Sequence, residues 1–102
     1  MKDLSVTIKQ AELVSDIFKS FSHPTRLQIL CRLSDGPATV QELQDACKLE
    51  QAITSQFLAR LRTEGRVECE RKGNQMIYHL SDPRLKSLMQ TVADLFCKTS
   101  KG

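Results

Sequence analysis

Four cysteines, Cys31, Cys47, Cys69 and Cys97, are the side chains of this 102-residue chain best suited to covalent chemistry. None is paired as C-x-x-C, and in a reducing compartment four scattered thiols do not make a disulfide framework. A sensing or reacting thiol must be reachable and partly thiolate. Cys97 lies at the flank of an apolar stripe near the chain end, with Lys98 beside it, and meets the first condition. Cys31 is spaced with Leu27 and Leu30 and, from the residues alone, reads as a small core residue, as buried free cysteine often is. Cys47 beside Leu43, and Cys69 between Glu68 and Glu70, read as core fillers. His23 reads as a boundary cap and His79 as a strand residue. With no nucleophile–base constellation and no Gly-rich phosphate loop, the chain is expected to be neither an enzyme nor a cofactor protein.

A second group of residues suits non-covalent recognition. Ile53, Phe57, Leu58 and Leu61 recur at helical spacing, and at roughly 100° per residue this leaves Ala52, Ser55, Gln56, Ala59 and Arg62 opposite, with Gln51 near the edge. Small residues let a helix enter a major groove, Gln and Ser meet base edges or phosphates, and Arg meets either. With Thr54 and Arg60, Gln51, Ala52, Ser55, Gln56 and Arg62 form the candidate contact set of this helix. Arg71, Lys72, Asn74 and Gln75 crowd a hairpin tip, within reach of phosphates or a minor groove.

These side chains need elements to carry them. Thr39-Val40-Gln41-Glu42 is a capping box that opens a short helix to about Ala46. After a turn around Lys48 to Glu50, a second helix runs from Gln51 to Glu64, stopped by Gly65. Arg66 to Lys72 alternates apolar with charged residues, Gly73-Asn74 is a turn pair, and Gln75 to Leu80 is again extended. Residues 39–64 are thus a helix-turn-helix and 66–80 a two-stranded wing, an order that points to DNA. A first helix spans 8–21 with Leu13, Val14, Ile17 and Phe18 on one face. Ser22-His23-Pro24 opens a second over 24–34, and Ser81-Asp82-Pro83 opens a last one over 82–98. The expected fold class is mainly α with a small β-hairpin: one winged helix-turn-helix domain over 1–102, with about five helices.

So short a chain buries a thin core. The last helix is apolar along Leu85, Leu88, Met89, Val92, Leu95 and Phe96, and with Leu13 and Ile17 of the first helix it is expected to pack on its own copy as a symmetric homodimer. The net charge of +3 is compatible with nucleic acid without arguing for it. Between Lys48 and Lys72 six basic residues face four acidic ones, so binding should depend on a dimer presenting two heads. The N-terminus lacks the apolar core of a signal peptide and no run reaches membrane-spanning length; a cytoplasmic protein with no membrane partner is expected.

The segment Ser22-His23-Pro24-Thr25-Arg26-Leu27-Gln28-Ile29-Leu30 resembles the second-helix signature of the ArsR/SmtB family of winged-helix transcriptional repressors, and Thr54 to Arg62 followed by Gly65 resembles its recognition helix. Glu50, Ala52 and Phe57 depart from residues frequent in the family, which bears on operator sequence rather than docking. The resemblance implies a homodimer on an inverted-repeat DNA operator, released by an effector. Metal is the family's best-known effector, but neither of its metal sites is present in this sequence. Asp82-Pro83-Arg84 lacks the histidine of the family's terminal-helix zinc site, and Glu42 to Cys47 offers one thiol where the third-helix site needs closely spaced cysteines, while zinc prefers three or four convergent ligands.

Cys31 and Cys97 resemble the paired cysteines of the family's persulfide-sensing branch, which includes the biofilm growth-associated repressor and the haemolysin-regulator proteins. The resemblance implies that the two thiols react with a persulfide or polysulfide and become bridged by sulfur, fixing the terminal helix against the second and releasing DNA. The competing expectation keeps the fold and makes the effector arsenite, a metal or a general oxidant.

Overall fold

A computed structural model describes residues 5–97. Thr7 opens α1 (Ile8–Ser20) with a capping box: its Oγ1 accepts the Gln10 amide at 3.1 Å and its amide donates to Gln10 Oε1 at 2.8 Å. α2 (Pro24–Leu33) starts with Pro24 in its first turn, where a missing N–H is harmless, and with His23 Nδ1 accepting the Thr25 amide at 3.1 Å. β1 (Ala38–Thr39) leads directly into α3 (Val40–Cys47). Lys48 then turns the chain in the left-handed region, with φ 57°, into α4 (Gln51–Thr63).

α4 ends as its Gly65 predicts. Gly65 takes φ 80°, its amide donates to Arg62 O at 3.0 Å, and Arg66 N donates to Leu61 O at 2.8 Å, the paired bonds of a Schellman ending. β2 (Val67–Lys72) and β3 (Gln75–Leu80) pair antiparallel from Val67↔Leu80 to Lys72↔Gln75. The sheet is not two-stranded, as the sequence suggests, but three-stranded in the order β1-β3-β2. β1 has only two residues, too short for an alternating pattern, and it pairs because Ala38 lies opposite Tyr78 and Thr39 opposite Ile77. Thr39 also caps α3, its Oγ1 accepting the Glu42 amide at 3.1 Å while Glu42 Oε1 accepts the Thr39 amide at 2.9 Å. One residue thereby fastens the helix-turn-helix to the wing.

Asp82 caps α5 (Pro83–Val92) by accepting the Arg84 amide at 2.9 Å. The terminal helix is not a continuous α-helix to residue 98: from Ala93 to Cys97 it is a π-helical turn. Residues 98–102, including the expected helix end at Lys98 and the frayed tail, lie outside the described residues, as do residues 1–4.

The core lies between α2, α3, α4, α5 and the root of the sheet. Ile29, Leu30, Leu43, Leu58 and Leu61 are fully buried there, with Val67 and Met89 beside them. Burying each such side chain contributes about 1.5–3 kcal/mol. α1 stands apart from this core, with Ser20 its only buried residue. The Cα radius of gyration, 14.9 Å, accordingly exceeds the roughly 13 Å of a compact domain of about 100 residues. Among the described residues no helix is long and apolar enough to cross a membrane.

Candidate nucleic-acid interface and thiol site

Gln51, Ala52, Ser55, Gln56 and Arg60 are exposed along α4, as is Ala59. Thr54 is not part of that surface. It is fully buried, with its Oγ1 donating to Glu50 O at 2.9 Å. That internal bond lets a threonine occupy an apolar position, so the inward stripe is Thr54, Leu58 and Leu61, while Ile53 is turned partly outward. Arg62 is exposed but sits toward the wing, lining a recess with Gly65, Cys69 and His79. At the wing tip Arg71, Lys72, Asn74 and Gln75 are all exposed. Gly73 turns the chain there with φ 61°, and Arg71 Nε donates to its carbonyl at 3.3 Å.

A polar knot with no local signature in the sequence holds the end of α4. Ser20, fully buried at the end of α1, donates to Glu64 Oε1 at 2.8 Å and accepts from Arg66 Nε at 2.8 Å. Glu64 Oε2 accepts Arg60 Nε at 2.8 Å and Arg26 Nη1 at 3.4 Å. Burial alone raises the Glu64 carboxyl, but the hydrogen bonds from Ser20 and Arg60 and the charges of Arg26 and Arg60 outweigh it and hold it below its ordinary range. The knot ties together α1, α2, α4 and the approach to β2. Ser20 and Arg26 reach it from 44 and 38 positions before Glu64.

The thiols separate by environment. Cys31 is half-buried on α2, with its Sγ 3.9 Å from Met89 Sδ. Burial pushes its thiol pKa up, and negative charge on Cys97, then Asp35, then Cys47 pushes it further. Cys97, 66 residues along the chain (97 − 31), is exposed on the π-helical turn that continues α5 beyond Met89. Cys47 is buried in the core and raised by burial, an effect Arg32 partly opposes. Cys69 is half-buried opposite Tyr78. Among the described residues, no group of three or more His, Cys, Asp or Glu is arranged to hold a metal ion.

Residues 23–68, from the start of α2 into β2, match the family described as "Bacterial regulatory protein, arsR family". Over 98 residues the chain is 34% identical to the HTH-type transcriptional regulator YgaV of Escherichia coli, covering 95% of this chain and 99% of that protein. The chain belongs to the arsR family of bacterial regulatory proteins.

This arsR-family regulator is also 34% identical, over 93 residues, to the biofilm growth-associated repressor of Xylella fastidiosa, covering 91% of this chain and 82% of the relative. The structure described as reduced HlyU from Vibrio cholerae superposes with a TM-score of 0.82 at 32% identity, over 88% of this chain and 95% of that one. The fold is the winged helix of these relatives. The family match ends before α5, so Cys97 lies outside it and Cys31 inside it.

The apolar surface of the regulator differs from the expected dimer set. Leu85 and Met89 are not available to a partner: they are 4% and 1% exposed, packed in their own protomer. Leu88 and Val92 are half-buried against the same core. They follow the inward stripe of α5 because so small a core uses this helix to close itself. Leu95 and Phe96, on the π-helical turn, are 70% and 82% exposed. On α1, Leu13 is exposed and Ile17 half-buried, and the sequence-based set omits Val14 and Phe18, which are also exposed. Leu13, Ile17 and Phe18 face Leu85 and Leu88 across an apolar groove between the two helices.

Proposed function

We propose that this regulator is a homodimeric, DNA-binding transcriptional repressor that leaves an inverted-repeat operator when a persulfide or polysulfide joins Cys97 to Cys31. The observation that carries the thiol switch is that half-buried Cys31 on α2 touches Met89 of α5 at 3.9 Å, and α5 runs on into the π-helical turn that carries exposed Cys97. The likeness to a repressor and to a protein solved in a form described as reduced supports the same reading. For DNA, the support is an exposed face of Gln, Ser and Arg on α4 beside a basic wing tip. For the dimer, it is the uncovered apolar surface of α1 and the π-helical turn.

The chemistry needs no oxidant beyond the effector. Cys97 attacks the sulfane sulfur of a low-molecular-weight persulfide, forming a persulfide on Cys97 and releasing the parent thiol; Cys31 reacts likewise. The two protein persulfides condense to a three-sulfur bridge between Cys31 and Cys97 with loss of hydrogen sulfide, so sulfane sulfur is reduced as the thiols are oxidised. Cys97 reacts first because it is exposed, while Cys31 is held as a thiol by burial. The bridge then fixes the π-helical turn to α2 and moves Leu95 and Phe96, which changes how two heads are spaced on successive grooves.

Mass spectrometry of persulfide-treated protein tests the reading. A peptide pair joining Cys31 to Cys97 with added sulfur is expected. Modification confined to Cys47 or Cys69, or a bridge that leaves operator binding intact, would overturn it.

A further inference from the structure

A cleft of about 430 Å3 opens between the start of α2 and one flank of α4, lined by His23, Arg26, Gln56, Phe57 and Arg60. Among the described residues, no acidic side chain lines it. Two guanidinium groups at its wall share a single carboxylate, since Glu64 Oε2 takes both Arg60 Nε and Arg26 Nη1 and Glu64 Oε1 is taken by Ser20. One positive charge is thus left uncompensated. Arg26 is largely buried, its side chain 16% exposed and its buried Nε without a hydrogen-bond partner among the described residues. His23 adds a directed donor. Its Nδ1 accepts the Thr25 amide, so in the neutral ring the proton is on Nε2. The ring also packs on Phe57, with centroids 4.8 Å apart at 45°, which fixes its direction.

We propose that this cleft binds a phosphodiester of the DNA backbone, with His23 and Arg26 as contact residues alongside Gln56 and Arg60. The inference rests on the DNA-binding reading above and deepens it. The position favours backbone over a free anion, because Gln56 and Arg60 continue from the cleft onto the exposed face of α4. At roughly 100° per residue, Arg60 and Arg62 stand on opposite flanks of that helix. Arg62 sits toward the wing and Arg60 toward α2. A helix seated in a major groove is flanked by a phosphate chain on each side, and contacts to both fix its register without reading sequence. The wing grips one chain and the α2 cleft grips the other.

The test measures operator affinity of the full-length protein against salt, together with duplexes in which single phosphates are replaced by neutral methylphosphonate. Arg26→Gln is expected to reduce the slope of log K against log salt by about 0.9 for each phosphate it ceases to neutralise. Lys86→Gln on α5 removes the same charge elsewhere and is expected to keep the wild-type slope. One methylphosphonate position should weaken wild-type binding several-fold yet leave Arg26→Gln and His23→Ser nearly unaffected. His23→Ser keeps a capping side chain and answers the question should Arg26→Gln fold poorly. A slope for Arg26→Gln equal to that of Lys86→Gln, with no such methylphosphonate position, overturns the proposal. So does thermal stabilisation of the DNA-free wild type by inorganic phosphate, abolished in Arg26→Gln, if the DNA slope is unchanged; the cleft would then hold a free oxyanion. Were the wild type to bind no duplex at low salt, the DNA-binding reading and the cleft would fall together.

Discussion

The Sγ of Cys31 and the Sδ of Met89 stand 3.9 Å apart, so α2 and the terminal helix already touch through sulfur. Met89 is fixed in the core at 1% exposed, whereas Cys97 lies further along the same helix on an exposed π-helical turn. A bridge between Cys31 and Cys97 therefore ties an exposed turn to a packed helix. It has only to move the turn, because the α-helical part of the terminal helix is anchored beside Cys31.

The two thiols should react at different rates. Burial raises Cys31, with Cys97, Asp35 and Cys47 adding to it, so near neutral pH Cys31 stays protonated and its alkylation should be slow there and speed up as pH rises. Timed iodoacetamide labelling read by peptide mass spectrometry should show Cys97 modified first at neutral pH. Equal rates there would contradict the order of attack proposed above.

Ser20 and Glu64 should control how α4 is held. Ser20→Ala leaves half-buried Arg66 and Glu64 each short of a partner and is expected to cost about 1–3 kcal/mol in urea unfolding. The folded-state pKa of Glu64 lies below its unfolded value, so its contribution is complete above the unfolded value and disappears as pH falls through the folded one. Stability of the wild type should therefore fall more steeply in acid than that of Glu64→Gln. Parallel curves would show that the knot adds nothing.

Thr54 and Gln56 separate core from contact surface on one helix. Gln56→Ala is expected to weaken operator binding by about 1.5–3 kcal/mol, the loss of a hydrogen bond to a charged phosphate, with unfolding little changed. Thr54→Val keeps the shape of a buried residue and should leave operator affinity close to wild type. Fluorescence anisotropy on an operator duplex compares the two directly, and a large loss for Thr54→Val would return that residue to the interface.

The helices and the hairpin were legible because their signals are local: the Thr39 to Glu42 box, Pro24 and Pro83 in first turns, and Gly65 after α4 all do as their chemistry requires. What escaped depends on distance. β1 is two residues long and exists because β3 accepts it. Thr54 is inward because its hydroxyl finds Glu50 O, whereas a hydropathy pattern scores threonine as polar. Leu85 and Met89 share the stripe of Leu95 and Phe96 in the sequence, yet the change to a π-helical turn at Ala93 separates core residues from exposed ones. The Ser20–Glu64–Arg66 knot joins positions with no spacing to notice.

The exposed apolar side chains of α1 and the π-helical turn should hold the dimer. Phe18→Glu, at a side chain 55% exposed in the protomer, is expected to shift the protein to monomer with its helical content intact. Sedimentation velocity with circular dichroism reads both quantities. A dimer unaffected by Phe18→Glu and by Phe96→Glu would mean that another surface is used.

The measurement closest to the central claim is operator affinity with and without persulfide for the wild type, Cys31→Ser and Cys97→Ser. The wild type should lose affinity on treatment and regain it with a thiol reductant, while each single variant should bind equally well treated or untreated. Persulfide release that survives in both variants would contradict a switch built on Cys31 and Cys97.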